Sequence, residues 1–506
     1  MNQLRAGIIL NYVIIGLNIL VGLAYTPYML RCLGQNEYGL YSLVASVIAY
    51  LTILDFGFGN AIVRYTAKFR TEGKTSEQWE MFGMFVVLYS IIGLLALGGG
   101  SLLYLNVDRM FDRTMTIEDL SQARTMMIFL IVNLALTFPF GIFASIITAY
   151  EDFVFPKVVQ IIRILLCTAT LIVLLYWGYK AVAMVVVQTI FNVVTLLLNF
   201  AYCRYCLHIK VWFHGFNWSF LKEISIYSFW IFLNTIMDRI YWSTGQFVLG
   251  AVSGTVAVAI FSVAITLQQM YMMFSGAISN VLLPKITKMV SQNKSADELS
   301  SIFISTGRLQ AMIMTFVLLG FVVFGERFII YWAGEDYRDA YFVCILFFIG
   351  LFVPLIQSVG LCILQAKNKM QFRSLCYLAI SILSLIGQVL FSKTWGVVGC
   401  GIAISLALFI GHGIIMNIYF QKVQHLKIIA FWKEIIKISL FPIIFSTLWI
   451  VLRINDVLVD SVGDLCALIF VFCIIYLFGV KRFCLNKSEN KYIVDIISFV
   501  KNKREK

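Results

Sequence analysis

"GIILNYVIIGLNILVGLAYTPYML", residues 7–30, decides the fold. It runs 24 residues without a charged side chain, and about 20 apolar residues make a helix long enough to cross the hydrocarbon core of a bilayer. It is too long for the core of a cleavable signal peptide and lacks the small-x-small cleavage site. The stretch therefore reads as a first transmembrane helix. It is not uniformly apolar, because Asn11, Asn18 and Tyr25 recur every seven residues and so share one stripe of the helix.

The rest of the chain has the same character. Of 506 residues, 61% are hydrophobic and 13% charged, with a mean hydropathy of +0.89; a soluble domain carries about 25% charged residues. This composition cannot make a water-facing surface, so the class is polytopic membrane protein. The net charge of +13 could suggest nucleic acid, but the position of the basic residues explains it without any such partner. The eleven cysteines sit mostly in apolar runs, as small hydrophobes do. Cys203 and Cys206 form a close pair with no second pair at metal-binding spacing. The four histidines form no ligand pattern, so no metal and no cofactor is expected.

Fourteen apolar runs lie between charge clusters: 7–30, 38–60, 82–105, 125–149, 158–176, 181–201, 224–249, 256–282, 303–325, 340–364, 375–391, 396–420, 438–452 and 464–480. All six prolines fall inside or at the ends of these runs, which predicts bent helices. With the N-terminus inside, cytoplasmic segments hold 27 of the 39 Lys and Arg, outside segments nine, and spans three. Both termini are thus expected in the cytoplasm by the positive-inside rule. No loop is longer than roughly twenty residues, which leaves no room for a soluble catalytic domain. Two stretches, "KVQHLKIIAFWKEIIK" (422–437) and "KYIVDIISFVKNKREK" (491–506), combine apolar stripes with lysines and read as helices lying on an anionic inner leaflet, the second reading nearly as well as a disordered basic tail.

The first six spans recur in the next six. Asn18 and Tyr25 match Asn234 and Tyr241, and Leu33-Gly34 matches Leu249-Gly250, all at an offset of 216. Asn60 and Lys68 match Asn280 and Lys288 at 220, Pro139 matches Pro354 at 215, and Trp177-Gly178 and Asn199 match Trp395-Gly396 and Asn417 at 218. Collinear matches imply a duplication. An even number of spans per copy makes the repeats parallel, and in transporters built this way the substrate lies between the repeats. The expected fold is all-α: about fourteen transmembrane helices in two parallel six-helix repeats around a central cavity, plus two C-terminal helices. The expected divisions are an N-terminal bundle over 1–205, a second bundle over 206–425, two further spans over 426–480 and a basic cytoplasmic tail over 481–506.

Charges inside spans point to the cavity, since an ionisable group at mid-bilayer costs about 2.5–3.5 kcal/mol on insertion scales. Arg163 and Arg308 lie about 9–10 Å from the cytoplasmic ends of their spans at 1.5 Å per residue, near enough to snorkel or to face a cavity. Arg239 lies about 24 Å from one end of its run and about 16 Å from the other, too deep for snorkelling. Asp238 shares a helix face with Trp230, Asn234, Tyr241 and Gly245. Arg239 shares the adjacent face with Thr235, Trp242 and Gln246. Aromatic rings among amides suit sugars, which carry apolar CH faces beside hydroxyls, although lipid packing is the ordinary use of aromatic residues alone.

"ILDFGFGNAIVRYTAK", residues 53–68, then breaks the apolar pattern. Gly57 and Gly59 weaken a helix and allow close approach. Arg64 and Lys68, four residues apart, share a face on which a lipid pyrophosphate can land, or they simply anchor a cytoplasmic loop. Asp55 is not explained by positive-inside bias and reads as a gating residue that pairs with another helix when the inner gate closes.

Together with "TPYMLRCLGQNEYGLYSL" (26–43), this stretch resembles the first two spans of bacterial polysaccharide flippases of the O-antigen and capsule type. Those flippases belong to the multidrug/oligosaccharidyl-lipid/polysaccharide exporter superfamily. The motifs lie within residues 25–70, while span number and repeat arrangement carry the resemblance along the whole chain; fourteen spans rather than twelve departs from many O-antigen members. The resemblance implies two six-helix bundles around a cationic cavity in the bacterial cytoplasmic (inner) membrane. It implies movement of a polyprenyl-pyrophosphate-linked oligosaccharide from the inner to the outer leaflet, for O-antigen (lipopolysaccharide) or capsule synthesis. Membrane lipids, a polysaccharide polymerase and glycosyltransferases would be its neighbours. On this reading Arg239, Asp238, Asn234, Tyr241, Asn18, Tyr25, Arg64, Lys68, Arg163 and Arg308 contact the substrate. The alternatives are a drug or cation antiporter of the same superfamily, or a membrane polymerase or glycosyltransferase. An acidic cavity would favour the first, and a sizeable loop at one membrane face the second; this sequence supplies neither.

Overall fold

The structure is a computed structural model, and it describes residues 3–213, 218–367, 369–451 and 461–486. Every regular element among them is helical. Ten helical stretches are long and apolar enough to cross a membrane, or eleven if the bent pair Ala340–Ile356 and Ser358–Ala366 counts as one. That is fewer than the fourteen runs read from the sequence, and the two longest stretches show why. Ala6–Thr71 is 66 residues and Gln371–Lys422 is 52, each containing two of those runs. A straight helix of 66 residues would measure about 100 Å, some three times the hydrocarbon thickness.

Both stretches are broken. α1 (Gln3–Ala49) has non-helical backbone at Gly34, with φ 75° and ψ 173°, a region that only glycine enters without strain. A 3₁₀ segment (Tyr50–Asp55) and the left-handed Phe56 and Gly57 then separate α1 from α2 (Phe58–Thr71). The helices α3 (Thr75–Phe111), α4 (Ile117–Ala149), α5 (Val154–Tyr176) and α6 (Ala181–Tyr205) follow. Next come α7 (Trp218–Trp242), α8 (Thr244–Ser253) and α9 (Thr255–Ser291), with Gly254 between the last two at φ 84° and ψ −176°. Gly254 thus repeats the backbone conformation of Gly34 at an offset of 220, whereas Gly250, the expected match, lies within helix α8. The remaining helices are α10 (Ala296–Trp332), α11 (Ala340–Ile356), α12 (Ser358–Ala366), α13 (Gln371–Leu408, broken at Gly396), α14 (Asn417–Lys422), α15 (Ile428–Val451) and α16 (Val462–Gly479). A π-helical turn (Phe409–Met416) joins α13 to α14.

Short polar motifs set the helix starts. Thr116 and Asp119 form a capping box at α4, Ser295 and Glu298 another at α10, and Ser461 caps α16 by accepting from the Asp464 N–H. Each side-chain oxygen satisfies an N–H that the first turn leaves unpaired.

The chain forms two compact units. Residues 1–266 and 371–404 make the first, and residues 267–370 and 405–506 the second. The core of unit 1 packs Phe58, Ile62, Phe82, Phe85, Phe138 and Ile146 from α2, α3 and α4. In unit 2, Phe324 of α10 meets Trp449 of α15 and Phe472 and Tyr476 of α16. Neutral polar groups are buried there too. The amide nitrogen of Gln310, fully enclosed, lies 3.1 Å from the hydroxyls of Ser275 and Ser279 and 2.7 Å from that of Ser358. The 422–437 stretch does not lie apart as a surface helix. From Ile428 it is the first part of α15, with Phe431 and Ile435 buried in unit 2. The other amphipathic stretch, 491–506, lies outside the described residues.

Candidate functional site

The residues read from the sequence as a cavity wall fall mostly in unit 1, on two helix pairs. α5 packs along α1 and forms the first wall. Lys157 of α5 donates to Asn11 Oδ1 at 2.8 Å, and Arg163, half-buried, has Cys167 one turn on as its electrostatic neighbour. Asn18 is half-buried on α1. Tyr25, also half-buried, lies in the field of Tyr41 and Cys167, and Tyr41 donates to Gln188 Oε1 of α6 at 3.0 Å.

The second wall joins α7 to the first half of α13. Asp238 is exposed, and the cations whose fields act on it are Arg373 of α13 and its neighbour Arg239. Tyr241 is buried next to Cys376, and Asn234 is half-buried one turn before Asp238. The Arg373 guanidinium carbon stands 5.1 Å from the Tyr377 ring centroid. Gln388 ties the two helices by donating to the Ile240 carbonyl at 3.4 Å. One carboxylate thus faces two guanidinium groups, and the wall is cationic. The Trp230 side chain, assigned to the same face, lies outside the described residues.

Sequence reasoning placed Arg239 deep in one continuous helix, and the structure corrects that. α7 ends at Trp242, and Ser243 separates it from α8, so Arg239 sits in the last turn of a helix. Ser243 N donates to the Arg239 carbonyl at 2.9 Å, and the Thr244 hydroxyl approaches the same oxygen at 3.4 Å. A helix C-terminus carries partial negative charge and favours a cation, which explains how an arginine is tolerated there. The Nε atoms of Arg239 and Arg373 and the hydroxyls of Tyr25 and Tyr241 are buried and have no hydrogen-bond partner among the described residues. A buried donor without an acceptor costs about 1–3 kcal/mol.

Arg373 went unrecognised because it falls two residues before a run and was counted among the cytoplasmic loop cations. The repeat offset could have found it: 216 residues before Arg373 stands Lys157, a cation of the first wall.

The other expected site residues lie elsewhere. Arg64 and Lys68 are exposed on α2, the Arg64 guanidinium carbon 5.8 Å from the Tyr65 ring centroid. Asp55, expected to pair with another helix when the inner gate closes, is bonded to α3 here. It accepts from Tyr89 Oη of α3 at 2.9 Å and from the Gly57 N–H, pinning the left-handed turn between the 3₁₀ segment and α2. Arg308 belongs to unit 2 and is 2% exposed. It is ion-paired with Glu434 of α15 and donates to the Cys484 carbonyl, just past α16, at 2.9 Å.

Broken helices, membrane-length apolar stretches and paired polar walls define a polytopic helical membrane protein. A family model described as "Polysaccharide biosynthesis protein" matches residues 4–290, and the chain belongs to that family. No curated protein matches the sequence. Among solved structures, the chain is similar to "Lipid II flippase MurJ, inward closed conformation". The TM-score is 0.71 at 16% identity, over 94% of this chain and 98% of that one. It is also similar to an inward-facing multidrug resistance MATE family transporter of the MOP superfamily, with TM-score 0.62, 14% identity and coverage of 83% and 95%. A MOP superfamily transporter from Pyrococcus furiosus gives TM-score 0.57 and 13% identity over 85% and 95%. The fold is therefore that of flippases and exporters.

Proposed function

We propose that the protein flips a polyprenyl-pyrophosphate-linked oligosaccharide from the inner to the outer leaflet, by alternating access, for O-antigen or capsule synthesis in a bacterial inner membrane. One observation carries this reading: the charges of Arg239 and Arg373 both act on Asp238 near the end of α7, and their Nε donors are buried with no hydrogen-bond partner among the described residues. A pyrophosphate supplies the missing acceptors and offsets the cost of holding the cations in the membrane, and the planar guanidinium fork suits it geometrically. The cationic wall argues against a cationic drug as cargo. Membership of the polysaccharide family and likeness to a structure titled as a lipid II flippase support the lipid-linked class.

Fourteen crossings follow if the stretches broken at Gly34 and Gly396 each cross twice, with both termini cytoplasmic. The six-plus-six duplication is supported by the shared backbone of Gly34 and Gly254 and by the helix-interior prolines Pro139 and Pro354. The bundles 1–205 and 206–425 are then the evolutionary halves, with the two further spans at 426–480 and the basic tail after them. The polymerase and glycosyltransferases of the same polysaccharide are the partners of this reading.

The test is surface polysaccharide in cells lacking their own flippase, with membrane protein quantified in parallel. Arg239→Ala and Arg373→Ala should abolish transport, and Arg239→Lys should keep part of it, since lysine retains charge but not the fork. Full transport by Arg239→Ala at a normal protein level overturns the assignment.

A further inference from the structure

Within unit 1 one inter-repeat seam stands apart. The second part of α1, past the Gly34 break, runs antiparallel to α8 and the start of α9. Asn36 bonds Thr255, Gly39 meets Thr255, Leu43 meets Gly250, and Tyr50 bonds Thr244. As numbers rise on one side they fall on the other. The middle of the seam is backbone against side chain or backbone. A β-carbon at Gly39 would lie 1.9 Å from the Thr255 carbonyl oxygen, and one at Gly250 would lie 2.6 Å from Leu43. Polar groups close both ends. Asn36 also donates to Asp119 at 2.8 Å, and Asp119 is fixed by the capping box of α4. From the turn before α4, Thr114 donates to the Gly250 carbonyl at 2.7 Å.

A second inter-repeat seam, between α2 and α7, is built differently. Tyr65 donates to Glu223 at 2.8 Å, and Phe56 stacks on Phe232 at 4.8 Å. These are side-chain tips, which rotate apart without moving backbones. In sequence along α7 and α8, Asp238 and Arg239 fall between the two seams.

We propose that the α1/α8–α9 seam is the outer seal of the transport path: a glycine zipper locked by Asn36–Thr255 at one end and Tyr50–Thr244 at the other. Closed, it denies the Asp238–Arg239–Arg373 wall to the face that carries Gly34, Met115 and Gly254, which the basic-residue bias puts outside. Opening means parting two backbones as a unit, because neither glycine contact can loosen alone. The purpose of the seal rests on the transporter reading above; its existence does not.

The test is a reversible cross-link. Asn36→Cys/Thr255→Cys, in a chain carrying Cys32→Ser to remove the exposed neighbour, is oxidised in membranes and followed by gel mobility and by surface polysaccharide. Cross-linking is expected to stop transport, and reductant to restore it; each single cysteine should be indifferent to the oxidant. Gly39→Val supplies an independent arm, with Gly39→Ala as a milder variant. Holding the seam ajar should raise labelling of Asp238→Cys by a membrane-impermeant maleimide added outside. Transport that continues through a complete cross-link, a pair that never cross-links although both thiols are present, or unchanged outside labelling in both Gly39 variants would overturn the proposal. If cross-linking and labelling behave as expected while the unsubstituted protein moves no lipid-linked oligosaccharide, the seal stands and the cargo reading falls.

Discussion

Replacing Glu434 should damage the protein more than replacing Arg308, although both belong to one ion pair. The side chains differ in exposure, 3% for Arg308 against 35% for Glu434. Glu434→Ala takes one ion-pair partner from a guanidinium enclosed in unit 2, and removing one partner of a buried pair costs up to about 3–5 kcal/mol. Arg308→Met removes the charge that needs burial and keeps an apolar stem of similar length. Glu434 is then left with access to solvent, and the Cys484 carbonyl loses a charged donor, a loss of about 1.5–3 kcal/mol at most. Part of that is returned, since apolar replacement of a buried pair is often neutral or better. The double variant should therefore resemble Arg308→Met rather than the sum of both. Thermal unfolding in detergent, with protease sensitivity of the α15–α16 segment, ranks the three proteins. Equal or larger loss from Arg308→Met, or additivity in the double variant, would refute the reasoning. A stable Arg308→Met protein that fails to transport would return Arg308 to the cavity.

Asp55→Asn keeps an acceptor for Tyr89 and should insert normally with transport largely retained. Asp55→Ala, which frees both Tyr89 and the Gly57 turn, should impair it, and polysaccharide output normalised to protein level reads both. Reporter fusions after residues 75, 115, 295 and 460 should read inside, outside, inside and outside; an outside signal from a C-terminal fusion would break the count of fourteen. Asp119→Ala removes the α4 capping box and the Asn36 acceptor together. It should lower stability by about 1 kcal/mol, the net worth of a lost hydrogen bond with the Thr116 cap left in place, read by thermal unfolding in detergent.

The helical spans were legible because apolar length is nearly all that a bilayer demands of a helix. The breaks were less so. Gly34 announces itself only by a left-handed backbone, and Ser243 carries no sequence mark, so Arg239 reads as mid-helix although it lies in the last turn of the 25-residue α7. The α7 face of Asn234, Asp238 and Tyr241 could be read from helical period alone. Arg373 could not, since it joins that wall from a helix more than 130 residues later in the sequence. Arg308 shows the opposite failure: a charge in an apolar run signals burial, but only coordinates reveal that Glu434 of a later helix pairs with it.

The enclosed Gln310 bears on how α10 can move. In lipid an apolar helix can slide or spin against its neighbours at small cost, because the hydrocarbon it meets resembles the side chains it leaves. A one-residue turn of α10, about 100°, would swing the Gln310 amide away from Ser275, Ser279 and Ser358 on two separate elements. Inter-helix hydrogen bonds in membranes average about 0.6 kcal/mol each, so three such contacts together come to about 2 kcal/mol, enough to make one angular setting dominant. The serines act as a keyway: α9, α10 and the α11–α12 bend must travel as a single piece, and whatever force reaches one of them is delivered without slippage to the others.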